Sequence, residues 1–376
     1  MQALFLCTMA VLTSSGRHRM KERAGYFRNA DGIRGLACLV VLFVHSINGV
    51  FVGARPYLPG TGKVGVWLFF VLSAFLLTNH LFLRGTSVRS LADYILARCL
   101  RIVPLFVIAV IFYFFAGTTA ITTWADVGNA LALTKGYAHL WTVPVELKFY
   151  VLLFPLAVPT ISIYRRFGPV WSATFVVACG IASSVLFPFT GTTENSPELR
   201  WYIPCFLIGM LCAVAYPSIK ERAARMPSVG ISLLVVLAII AMTDYFRSMY
   251  YPDAPHYWLG NKFVPLGMLW AVFMVVNLDD AGPMGRLLSS RAMTNIGRWS
   301  YPIYLFHWYF VTKAAEIRPN NVLSVVLSII LAIAVGAVAH RTIERPIMNT
   351  RGMLGRLILR RHAVAPERLR ATTGSD

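Results

Sequence analysis

Asp31-Gly32-Ile33-Arg34-Gly35-Leu36-Ala37-Cys38-Leu39-Val40-Val41-Leu42-Phe43-Val44-His45 opens on charge and runs into an apolar stretch. Read as a helix, it would cross a membrane. His45 follows Arg34 by eleven residues. Eleven steps of about 100° return to nearly the same helix face, and a rise of about 1.5 Å per residue sets His45 roughly 16 Å deeper. An arginine near one surface and a histidine near mid-bilayer then share one stripe. An ionisable group inside a span is costly, and marks a functional site by default. Alone, His45 also fits a polar group bonded between helices.

The rest of the chain agrees with a membrane reading. It is 57% hydrophobic and only 14% charged, and its mean hydropathy is +0.62. That profile predicts an all-α, polytopic transmembrane helical bundle. About ten spans are expected, near 31–53, 62–83, 102–121, 141–163, 170–190, 200–217, 229–246, 262–279, 300–314 and 321–343. Residues 1–15 are apolar but short for a span. The basic run from Arg17 to Arg28 reads as a cytoplasmic lead-in, with Met20 an alternative start. Residues 1–30 are thus a lead-in, 31–343 the membrane domain and 344–376 a basic cytoplasmic tail.

The net charge of +19 raises nucleic acid as a partner. The distribution of Lys and Arg argues against it. With the N-terminus inside, 25 fall in inside segments and 8 in outside ones. This bias sets topology, and predicts both termini in the cytoplasm. The partner is the lipid bilayer, with no nucleic acid. Cys7, Cys38, Cys99, Cys179, Cys205 and Cys212 show no CxxC spacing, so a disulfide framework or metal site is not expected.

Several polar groups could do chemistry. A neutral imidazole accepts a proton from an alcohol near neutral pH, which suits His45 to general-base work. Gly62 and Gly65 allow close helix approach, and Ser73 in the same span reads first as packing, second as a ligand contact. Arg98 and Arg101 lie three apart on one helical face at the inner mouth of the third span, where the helix is expected to end near Pro104. Such a pair can grip phosphate, or simply set topology. Glu146 lies about a turn inside the fourth span. A buried carboxylate there would orient an imidazole; a local pair with Lys148 is the alternative. Tyr301, Tyr304 and His307 line either an acceptor or acyl pocket or an aromatic packing seam.

Taken together, these motifs resemble the acyltransferase 3 family of integral-membrane enzymes. The resemblance rests on Arg34-x10-His45, VGVWLFFVLSAFLL in the second span, and Arg98-x2-Arg101 followed by Ile-Val-Pro. It rests equally on Leu140-Trp141 with Val145-Glu146 and Phe149-Tyr150, and on SYPIYLFHW near the end. Two positions depart from the family pattern. Ala74 stands where glycine is usual, and Thr142-Val143-Pro144-Val145-Glu146 stands for Ser-Leu-Ser-Val-Glu. No C-terminal esterase-like domain is expected. The resemblance implies an O-acyltransferase of the bacterial inner membrane, with acyl-CoA as co-substrate and no bound cofactor. Arg98 and Arg101, with Arg34, would hold the donor. His45 would be the base and Glu146 its orienting carboxylate. Ser73, Tyr304 and His307 would form the acceptor pocket. The acyl group would be acetyl, and the acceptor a hydroxyl of a polysaccharide, lipo-oligosaccharide or related exported molecule. The rival is a transporter with a buried His/Glu/Arg path.

Overall fold

A computed structural model describes residues 27–253 and 258–350. Most of the lead-in, through residue 26, and the basic tail beyond residue 350 lie outside the described residues. All regular elements among those described are helical. They are α1 (Ala30–Val50), α2 (Val64–Arg84), α3 (Val88–Ala116), α4 (Trp124–Leu131), α5 (Thr142–Phe167), α6 (Pro169–Leu186) and α7 (Ile203–Ala224). After these come α8 (Ser228–Ala241), α9 (Asp244–Tyr250), α10 (Phe263–Asn277), α11 (Pro283–Leu288), α12 (Arg291–Ile317), α13 (Val322–Ala339) and α14 (Arg345–Asn349).

Two packed groups position the site. In one, α1 runs against α12, which also packs on α13. Small residues permit this approach. A Cβ on Gly35 would strike the Met293 carbonyl, and one on Gly297 would strike the Asp31 carbonyl. In the other, α2 packs on α7, α6 lies against α7, and α10 lies against both α2 and α7. Gly65 brings α2 onto the Ala37 carbonyl of α1, which joins the groups. Between α2, α5 and α7 lies an aromatic core. Phe149 and Phe206 stack at 3.9 Å between centroids, and Trp67 is fully buried beside Trp141 and Tyr202. The outer helices show the opposite pattern: α6 exposes Val170, Val185 and Leu186, as expected of a face turned to lipid.

Among the described residues, seven helical segments are long and apolar enough to cross a membrane, or eight if the bent pair α8 and α9 forms one span. The other two expected spans fall on α10 and α12. The former has only 15 residues. The latter has 27, but its Trp, Tyr, Ser and His residues, with Arg298 and Lys313 flanking them, leave it less apolar than the other spans.

The expected break near Pro104 does not occur. Ser87 caps α3 by accepting from the Ser90 N–H, and the helix continues through Pro104 to Ala116. A proline is tolerated in a buried span where neighbours satisfy the freed backbone. Pro104 frees the Leu100 carbonyl; close by, the Tyr301 hydroxyl of α12 donates to the Ile102 carbonyl at 2.8 Å and ties the two helices together beside the proline. Arg98 and Arg101 therefore sit within one continuous helix.

A polar clasp ties the start of α1 to the loop after α10. The Asn29 amide donates to the carbonyls of Asn277 and Asp280, each at 2.8 Å. The Asp280 carboxylate accepts from Gly282 N–H, Gly285 N–H and the Ser228 hydroxyl, all at 2.8–2.9 Å. Burial pushes the Asp280 carboxyl up. These donors outweigh burial and hold it below the usual aspartate value.

Candidate active site

Helix α1 carries Arg34 and His45 to two different cavities. The first, about 70 Å³, is lined by Arg34, Arg98, Arg101, Glu146, Ser73 and Tyr150, among others. The second, about 570 Å³, is lined by His45, Lys63, His139, Trp141 and Trp308, among others. The two share only Val66 and Tyr304 as lining residues. These side chains form the septum. Tyr304 is pinned there, since its hydroxyl donates to the His139 carbonyl at 2.5 Å and accepts from Thr142 Oγ1 at 3.1 Å.

The first cavity gathers charge from three helices, α1, α3 and α5. Arg34 pairs with Asp31 at 3.1 Å. Arg101 Nε lies 3.4 Å from the buried Glu344, whose other oxygen meets His340 Nδ1 at 2.9 Å. His340 and Glu344 belong to a single π-helical turn ending α13, which presents both toward α3. Arg98 differs from its neighbour. Its guanidinium lies over the Tyr94 ring at 5.8 Å, and its buried Nε has no hydrogen-bond partner among the described residues. Glu146 accepts from the Tyr150 hydroxyl one turn on, and from Ser73 at 3.5 Å. A guanidinium with an unpartnered Nε, flanked by two further arginines, is suited to an anionic ligand.

In the second cavity, hydrogen-bond logic determines the histidine tautomers. His307 Nδ1 lies 2.7 Å from the Tyr304 carbonyl. A carbonyl only accepts, so His307 Nδ1 carries the proton. In the neutral ring Nε2 is then the acceptor. It lies 2.8 Å from His45 Nδ1, which must therefore donate. His45 Nε2 is left as a lone pair, the form a general base requires. Gly62 faces this edge of the ring, and a Cβ there would collide with Nε2. The two imidazoles are nearly parallel, 6° apart, and Trp308 packs edge-on against His45.

The structure thus brings together some of the predicted residues and separates others. Arg34, Arg98, Arg101 and Glu146 meet, and His45 and His307 pair. Glu146 does not touch His45: Tyr150 and Ser73 hold it in the other cavity, and the bond to His45 Nδ1 is made by His307. Ser73 lines the arginine cavity, not an acceptor pocket with His307. Tyr304 stands between the two. His307 is fully buried under His45 and lines neither cavity. Lys148 does not pair with Glu146; its ammonium donates to the Leu133 and Pro197 carbonyls at 2.9 Å.

Four residues escaped the sequence reading. Tyr150 is one turn from Glu146, an i,i+4 relation visible in the sequence. His139 lies two residues before Trp141 and donates from Nε2 to the Leu305 carbonyl at 2.9 Å. Glu344 and Lys63 carried no local signal. Among the described residues, no cluster of three or more His, Cys, Asp or Glu is arranged to hold a metal ion.

Residues 27–341 match the model of the acyltransferase 3 family, described as an acyltransferase domain. The chain belongs to this family. It is 23% identical to the O-acetyltransferase OatA of Staphylococcus aureus, over 86% of this chain and 57% of that protein. It is also 23% identical to the peptidoglycan O-acetyltransferase OatA of Listeria monocytogenes, over 86% of this chain and 56% of that one. The chain thus spans little more than half the length of these relatives. No solved structure gives a significant match.

Proposed function

We propose that this protein is a membrane-embedded O-acyltransferase. It takes an acyl group, acetyl by analogy with its named relatives, from acyl-CoA at the cytoplasmic face. It delivers the group to a hydroxyl of an exported glycan or related envelope molecule. The setting is a bacterial inner membrane, with both termini inside, as the Lys and Arg distribution favours. One observation carries the reading: a single helix supplies an arginine to one cavity and a histidine with a free lone pair to the next, across a septum of two side chains.

In this account the coenzyme A phosphates meet Arg98, with Arg34 and Arg101 beside it. The thioester reaches the septum, and the acceptor hydroxyl enters the second cavity. His45 Nε2 takes the hydroxyl proton as the oxygen attacks the thioester carbonyl. The tetrahedral intermediate collapses, the C–S bond breaks and the thiolate of coenzyme A leaves. The proton returns from His45 to that sulfur. While His45 is charged, its Nδ1–H bond to His307 fixes the ring and spreads the charge. Glu146 orders Tyr150 and balances the arginines instead of touching His45. The transporter reading finds no support in the family match.

The test uses protein in nanodiscs, acetyl-CoA and a hydroxyl acceptor, with free thiol and ester both measured. Wild type is expected to release thiol and form ester in equal amounts. His45→Ala is expected to bind acetyl-CoA and do neither. Acetyl-CoA binding by neither protein would end the proposal.

A further inference from the structure

The second cavity holds a cation that the transfer chemistry leaves unused. Lys63 precedes α2 and lines the cavity that holds His45. Its Nζ lies 5.5 Å from the centre of the Trp141 ring. Among the described residues no carboxylate forms an ion pair with it. A lysine placed only for topology extends its stem to bulk water. This one is turned over an indole within a cavity wall, where a charge is costly unless something compensates it.

The neighbouring charges meet that need only in part. Arg55, the other cation in the lining, donates to the carbonyls of Asn48 and Gly49 at 2.9 and 3.0 Å. Glu194 is the one carboxylate in the lining; it is exposed and acts on Lys63 from beyond ion-pair distance. The wall therefore carries two cations and one carboxylate, with neutral imidazoles. Two indoles, Trp141 and Trp308, and two amides, Asn48 and Asn195, also face the space. Flat apolar faces with amide groups suit a pyranose ring, and the spare ammonium suits an anion on that ring.

We propose that the acceptor is an anionic sugar, its carboxylate or phosphate bound by Lys63 while a hydroxyl reaches His45 Nε2. This rests on the transfer reading above and names its acceptor class. The test supplies acetyl-CoA and three oligosaccharide acceptors to wild-type protein in nanodiscs: one bearing glucuronate, its carboxyl-reduced neutral counterpart, and a phosphorylated one. Thiol release and ester formation are both recorded. Wild type is expected to favour an anionic acceptor over the neutral one by about tenfold or more in kcat/KM, the scale of one charge-assisted hydrogen bond. Lys63→Gln should collapse that ratio toward one, and Lys63→Arg should keep most of it. The preferred anionic arm then tells carboxylate from phosphate. Equal use of neutral and anionic acceptors by wild type overturns the proposal, whatever the variants do. So does an unchanged ratio in Lys63→Gln. Thiol release with no sugar ester overturns it while leaving acyl-CoA chemistry standing. No thiol release with any acceptor removes the transfer reading, and the proposal with it.

Discussion

Replacing His307 by Phe removes the acceptor of the His45 Nδ1–H and keeps the ring's bulk. The bond lost is 2.8 Å long and lies between two rings at the end of a buried chain that terminates on the Tyr304 carbonyl. Leaving a buried donor unpaired costs about 1–3 kcal/mol. At about 1.4 kcal/mol per tenfold, this is roughly a 5- to 150-fold loss. The loss should fall on kcat, because only the charged, proton-bearing His45 needs the bond at full strength. The KM for acetyl-CoA should stay within about twofold, since His307 lines neither cavity. The assay is initial thiol release in nanodiscs with saturating acceptor, alongside a melting curve to show that the variant is folded. Glu146→Gln provides the contrast. Had Glu146 oriented His45, it would show the same kcat loss. The geometry predicts instead a change in the KM for acetyl-CoA at nearly constant kcat, because Glu146 stands among the arginines and holds Tyr150 and Ser73 there. A folded His307→Phe protein with less than about threefold loss in kcat would refute the tautomer argument.

Other outcomes follow from single contacts. Gly62→Ala sets a methyl against His45 Nε2 and should cut kcat more than about tenfold with little change in acetyl-CoA binding, read by the same assay and by titration. Glu344→Gln loosens Arg101 and His340 and should raise the KM for acetyl-CoA several-fold at nearly constant kcat, in steady-state kinetics. Asp280 is held below its ordinary value, so its stabilising effect is present above the unfolded aspartate value, near 3.9, and is lost as pH falls through the folded one. Thermal midpoints should therefore fall below about pH 4 in wild type, and Asp280→Asn should be destabilised at neutral pH but lose less on acidification.

The helices were legible because their apolar runs are long, and α1 was read with Arg34 and His45 both on it. The Arg98–Arg101 spacing put both guanidiniums on one face, and the structure keeps them together. Pro104 misled because local propensity ends helices, whereas a packed membrane bundle tolerates a proline within a span. The partner of His45 was not legible. It lies 262 residues away, and nothing local distinguishes His307 from Glu146 as its neighbour. Glu146 was the more natural choice by chemistry, and only packing sends it to the other cavity. Lys63 reads in sequence as a charge before a span. Its cavity exists only once α1, α2, α12 and the loop before α5 are assembled.

The most direct test of the account is ester-linked acetate on surface and secreted glycans. It compares a strain lacking the protein with the same strain carrying wild type or His45→Ala at equal membrane levels. The account predicts that wild type restores an ester and His45→Ala does not. Full restoration by His45→Ala would contradict the assignment of His45 as the base.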